Sequence, residues 1–216
     1  MDSTTSKSIP IRRATREDAS LLAEIGAKMF ADTFALDNTP EDMAAYLAKS
    51  FSPEIQLGEL QDPYSTFFIA EIENQPVGFV RLKKGSAPVC ITGQNPIELV
   101  RIYAGKEWIG LGIGAKLMEH SIQFAEEQGH DSIWLDVWSK NPRAIRFYEK
   151  WGFGVVGEQD FVLGADVRVL DPDLRHAQIG IQALEPADGA DVQAKDPLLE
   201  DQGQEDDRQD VHDDIL

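Results

Sequence analysis

The chain has a single cysteine, Cys90, among 216 residues. One thiol excludes an intrachain disulfide and any zinc site built on clustered thiolates, and it fits a reducing compartment. Cys90 reads as a half-buried structural thiol. Basic residues are also scarce, 20 Lys and Arg against 38 Asp and Glu, for a net charge of −18. That balance argues against nucleic acid as a partner, because phosphate backbones reward clustered Lys and Arg. No apolar run approaches the roughly 18 residues that cross a bilayer, and MDSTTSKSIPIRRA lacks the hydrophobic core of a signal peptide. A soluble, cytoplasmic protein without a membrane partner is expected. The four histidines, His120, His130, His176 and His212, lack metal-ligand spacing. No metal is expected, and none of the four is given a role.

What remains is enough for one globular domain, with 42% hydrophobic and 27% charged residues. The pattern predicts a strand at PIRRAT and a helix over 18–35, opened by a Thr15/Asp18 capping box. Thr39-Pro40 starts a second helix, PEDMAAYLAKSF, and PEIQLGELQ a third. STFFIAEIEN and QPVGFVRLKKG read as a hairpin and IELVRIYA as the next strand. There follow the helix GIGAKLMEHSIQFAEEQG ended by Gly129, the strand DSIWLDVW, the helix NPRAIRFYEKWG capped by Asn141, and the strand FGVVGEQDFVLG. This order predicts an α/β (α+β) domain over residues 1–180 with helices on both faces of a mixed sheet. Residues 181–216 carry twelve acidic residues against Lys195 and Arg208, with little to bury, and are expected to form a disordered acidic tail. GADVRVLDPDL and GADVQAKDPLL share seven of eleven residues at a spacing of 25. One copy supplying a final strand and the other being surplus is one reading; a local duplication or chance in a biased tail is the other.

Gly110, Gly112 and Gly114 stand on alternate positions ahead of an amphipathic helix. Such a turn lets backbone N–H groups approach a ligand, and the helix N-terminus favours an anion, so a phosphate is the expected guest. A nucleotide triphosphatase loop needs Lys followed by Ser or Thr, and here Lys116 precedes Leu117. The dinucleotide fingerprint fits better, as Gly110-x-Gly112-x-x-Ala115 with Asp136 downstream. Its context does not fit: GKEW separates the strand from the turn, and the upstream elements are helices and a hairpin.

IYAGKEWIGLGIGAKLM resembles the acetyl-CoA signature of the GNAT superfamily of N-acetyltransferases. Ile109 stands at the family's Gln/Arg position, and Gly112 and Gly114 at its two small positions. WSKNPRAIRFYEKWGF resembles the family's second segment at Asn141, Ala144, Tyr148, Gly152 and Phe153. The resemblance covers about residues 8–165 and implies the GNAT fold, a central, mixed, mostly antiparallel sheet flanked by helices on both faces. It also implies acetyl-CoA as co-substrate, with pantetheine beside Tyr103 and Ala104. The pyrophosphate would lie on the backbone of Ile109, Gly110, Leu111, Gly112, Ile113, Gly114 and Ala115, and Asn141 near the cofactor arm. Ile109 departs from the pattern by lacking a side-chain donor. RVLDPDLRHA departs too, because acidic residues and a proline stand where the family completes its sheet. Whether a strand forms after Asp166 is left open.

Acyl transfer to an amine needs a held thioester, a deprotonated amine, stabilisation of developing negative charge and a proton for the leaving thiolate. The resemblance makes Tyr148 the general acid and Glu98 the base, in a ternary complex without a covalent acyl-enzyme. The plainer readings are a packing tyrosine and a carboxylate paired with Arg101 or a lysine. The chain looks most like bacterial PaiA-type (polyamine) acetyltransferases, and an acidic domain suits a cationic small-amine acceptor. Acetylation of a protein N-terminus or lysine is the alternative, and an acyl-CoA-binding module without turnover is the alternative of another class. Oligomeric state is left open, a homodimer included.

Overall fold

In the computed structural model, residues 9–35, 38–159 and 174–181 are described. The chain enters through β1 (Ile11–Arg13), and a short turn leads into α1 (Ala19–Phe34). The Thr15 N–H donates to Asp18 Oδ2 at 2.8 Å, one half of the expected box. α2 (Pro40–Ser50) and α3 (Pro53–Gln61) each begin at proline, and the Thr39 and Ser52 hydroxyls accept from the N–H groups of Asp42 and Ile55. β2 (Ser65–Ile72), β3 (Gln75–Lys84) and β4 (Pro96–Ala104) form an antiparallel meander. Then come α4 (Ile113–Glu127), β5 (Ser132–Trp138), α5 (Pro142–Lys150), β6 (Gly154–Gln159) and β7 (Leu174–Gly180). Among the described residues no helix is long and apolar enough to cross a membrane.

The seven strands form one sheet in the order β1-β2-β3-β4-β5-β7-β6, with β4 and β5 its parallel pair. Both faces are covered, which explains why STFFIA is apolar without alternation. Phe67, Ile69 and Phe79 pack on one face against Leu22, Met29 and Phe30 of α1, Met43 of α2 and Phe51. On the other face Phe68, Val80, Leu82, Leu99 and Leu135 pack against Ile113, Leu117 and Met118 of α4 and Phe147 of α5.

A strand does form after Asp166, and it is neither near-repeat copy that supplies its body. β7 reads LRHAQIG and slots between β5 and β6, antiparallel to both. Ala177 and Ile179 are buried in the second core, so an inward alternation beyond the acidic Asp-Pro-Asp stretch makes this strand. The expected end of β6 beyond Gln159, both GADV segments except Leu174, and the acidic tail lie outside the described residues.

Candidate active site

β4 and β5 are paired over three residues only: Pro96 with Ser132, Ile97 with Ile133, and Glu98 with Trp134. Val100 is an extra residue in β4, between Leu99 opposite Leu82 and Arg101 opposite Arg81. Such a bulge bends its strand and sharpens the twist. β5 meanwhile stays paired with β7 as far as Trp138. The two strands therefore part after Glu98, and the backbone of β4 towards Tyr103 and Ala104 borders a gap.

α4 starts at the mouth of this gap. Gly78 lies opposite Ala104, and a Cβ there would sit 2.6 Å from the Tyr103 carbonyl oxygen and 2.8 Å from Ile113 Cγ2. The missing side chain thus lets the first turn of α4 press onto the end of β4. Gly112 caps α4 with φ +73, in the left-handed region, and nothing lies within 4 Å of where its Cβ would be. The first-turn N–H groups of Gly112 to Ala115 have no partners inside the helix. One expected donor is spent elsewhere, since the Leu111 N–H donates to the Trp108 carbonyl at 3.3 Å. The Leu111 side chain is exposed and that of Ile109 half-buried. Asn141 Oδ1 accepts from the Ala144 N–H at 3.0 Å, so its capping role is in place.

Tyr148 stands on α5 and packs against the core on that side of the sheet. Its ring packs on Phe147 and Phe153, and burial pushes its phenol well above the ordinary value. A high pKa keeps the proton on the oxygen, as an acid requires. Tyr103 is raised likewise, by burial first, with Tyr148 among the groups acting on it. The two phenols therefore lie within electrostatic range of one another.

Glu98 stands where the strands part. It is half-buried, and its carboxylate makes no hydrogen bond or ion pair among the described residues. Burial foremost, then the Asp136 carboxylate, raise its pKa above the usual carboxylate value against the pull of Arg81, Lys83 and Arg101. The plainer reading, an ion pair with Arg101 or a lysine, is not formed among the described residues: Lys83 stands opposite Glu98 on β3, and its Nζ lies 3.6 Å from Asp62. Arg101 donates to Glu59 on α3 at 2.6 and 3.1 Å, and Arg81 donates to the same carboxylate at 2.5 Å. Arg101 also lies 5.0 Å from the Phe51 ring centroid.

Residues 29–153 match the model of the acetyltransferase (GNAT) family. The chain belongs to the GNAT acetyltransferase family. An uncharacterised N-acetyltransferase of Lactobacillus delbrueckii subsp. lactis, in the pepI 3′ region, is 34% identical over 73% of this chain and 91% of that relative. Among solved structures, the PaiA N-acetyltransferase of Thermoplasma acidophilum in complex with coenzyme A superposes with a TM-score of 0.64 at 23% identity. It covers 80% of this chain and 99% of its own. Mutant forms of the Vibrio cholerae spermidine/spermine N-acetyltransferase SpeG give 0.57 at 17%, over 81% and 95%. These two likenesses show the fold.

Two features of this acetyltransferase escape a reading of its sequence. Asp136 is the one charged residue of the strand SIWLDVW, a signal visible in hindsight. His176 Nδ1 lies 2.5 Å from Asp136 Oδ1 and is buried, but it stands on β7, the strand whose sequence does not announce it. The Glu59–Arg81–Arg101 cluster joins residues too far apart in sequence for any local pattern.

Proposed function

We propose that this GNAT enzyme transfers acetyl from acetyl-CoA to the primary amine of a small cationic acceptor, a polyamine being the first choice, by direct attack in a ternary complex. The observation that carries the reading is Glu98: a half-buried carboxylate with no hydrogen bond or ion pair to its side chain among the described residues, at the point where β4 and β5 part. An amine entering from the α1–α3 side meets this group, which takes a proton from nitrogen and leaves its lone pair free. The net charge of −18, with two carboxylates at the gap, favours a cationic guest.

The residues present fit acetyl-CoA. The left-handed Gly112, the open space beside it and the first-turn N–H groups of α4 suit a pyrophosphate. Backbone groups of Tyr103 and Ala104 border the gap where an extended pantetheine arm pairs as a strand would. The amide nitrogen of Asn141, whose oxygen is used in capping, is the donor left for that arm. When bound, acetyl-CoA supplies the activated acetyl thioester. Tyr148 supplies the proton that the departing sulfur needs.

Tyr148→Phe separates this enzyme from an acyl-CoA-binding module without turnover. The expected result is a loss of about 10²-fold in kcat, with coenzyme A binding by calorimetry unchanged. Unchanged kcat removes Tyr148 from the mechanism.

A further inference from the structure

One face of the sheet carries a chain of ionisable groups that runs deeper than Glu98. The register puts Glu98 opposite Trp134 and Asp136 opposite His176. Because successive residues alternate faces, Trp134 and Asp136 lie on one side of β5, with Glu98 and His176 beside them. His176 is 4% exposed, and its ring is held edge-on to Trp134 at 6.1 Å. Its Nδ1 lies 2.5 Å from Asp136 Oδ1. With a carboxylate as partner, Nδ1 carries the proton and donates. The ring fits because β6 offers no side chain where it passes: a Cβ on Gly157 would lie 3.2 Å from His176 Cδ2 and 2.6 Å from Cys90 Sγ.

We propose that His176 and Asp136 are positioning residues for acetyl transfer: His176 holds Asp136 as a carboxylate, and the charged Asp136 makes Glu98 a better proton acceptor. The proposal rests on Glu98 being the base. It follows from how charges combine in a poorly hydrated place. Burial pushes Asp136 towards its neutral form, and the His176 ring opposes that electrostatically and through its hydrogen bond. A charged Asp136 then disfavours a second negative charge on Glu98, after burial the largest influence on it. Arg81 and Lys83 of β3 and Arg101 of β4 act the other way. Their pull is partly spent, on Glu59 of α3 for the two arginines and on Asp62 for Lys83 at 3.6 Å. On β6 Gly157 stands opposite His176, and a Cβ there would also lie 2.6 Å from the Cys90 thiol sulfur of the β3–β4 loop.

The test is the pH profile of kcat/KM, measured on the full chain with its best amine, for Asp136→Asn, His176→Phe, His176→Asn and Glu98→Gln. Removing the Asp136 charge directly, or the His176 donor that helps to maintain it, lowers the pKa of Glu98. The acid limb is therefore expected to move to lower pH by on the order of one unit in Asp136→Asn and His176→Phe. Asparagine places an N–H near Nδ1, so His176→Asn keeps the wild-type limb. A residue needed only for packing would not divide the two His176 variants in this way. Unmoved limbs in Asp136→Asn and His176→Phe, or an equal shift in both His176 variants, overturn the proposal. Should His176→Phe fail to fold, Asp136→Asn and His176→Asn decide it by the same criteria. Glu98→Gln tells the two layers apart. If it leaves the acid limb in place, the base assignment falls and this proposal with it; if it abolishes a limb that Asp136→Asn leaves unmoved, this proposal alone falls.

Discussion

Glu98 costs the fold something, and that cost is measurable. A structural carboxylate at its depth would be paired, as Glu59 is with two arginines, whereas Glu98 makes no such pair among the described residues. Its pKa is raised on folding, mainly by burial. Between the unfolded value and the raised folded one the native state binds more protons. Stability therefore falls as pH rises through that window, and the full cost is present above it. Glu98→Gln is expected to raise Tm at pH 7, with the gain fading as pH drops below the ordinary carboxylate range. Its kcat/KM should fall by about 10²-fold or more, the usual contribution of a general base. Thermal melts at pH 7 and pH 4 beside steady-state rates check both; a variant less stable at pH 7 contradicts the account. Glu59→Ala is the opposite case. It strands Arg81 and Arg101, whose side chains are 8% and 13% exposed, and should cost about 3–5 kcal/mol in denaturant unfolding.

At the scale of elements, the gap depends on a bulge in β4 and on how closely α4 approaches it. The bulge at Val100 leaves no mark in IELVRIYA, since an extra residue in an apolar strand does not alter composition. Gly78 is readable only as a glycine in a strand, a position that often marks a close approach of backbone. Its role follows from the 2.6 Å between a would-be Cβ and the Tyr103 carbonyl. Gly78→Ala should push α4 from the sheet, destabilise by about 2 kcal/mol and weaken coenzyme A binding, seen in chemical unfolding and calorimetry. Gly112→Ala meets no neighbour within 4 Å but must adopt φ +73. It should cost about 1 kcal/mol and loosen the cofactor site more than the fold.

The helices are legible because their ends are written locally. Ser52-Pro53 starts α3 and Asn141-Pro142 starts α5, as read from the sequence. β7 is not legible, because its apolar alternation is short and follows Asp-Pro-Asp; what makes it a strand is the pair of edges offered by β5 and β6. His176 was lost with it. Glu98, Tyr148 and the glycine turn, by contrast, sit in segments whose patterns carry through to the structure as β4, α5 and the start of α4.

Taken whole, the described residues form a two-sided sheet with α4 and α5 packed on one face and α1 to α3 on the other, and the proposed function assigns the first to the cofactor and the second to the acceptor. A chain with a net charge of −18 attracts cations at low ionic strength. Salt should therefore raise KM for a polyamine more than for a neutral peptide amine, which a titration from low to physiological ionic strength reads directly. The most direct measurement is thiol release from acetyl-CoA against spermidine, spermine, amino acids and short peptides. The account predicts release with the small cationic amines, rising with pH through the acid limb set by Glu98. No release with any amine, in a protein that binds coenzyme A by calorimetry, would contradict it.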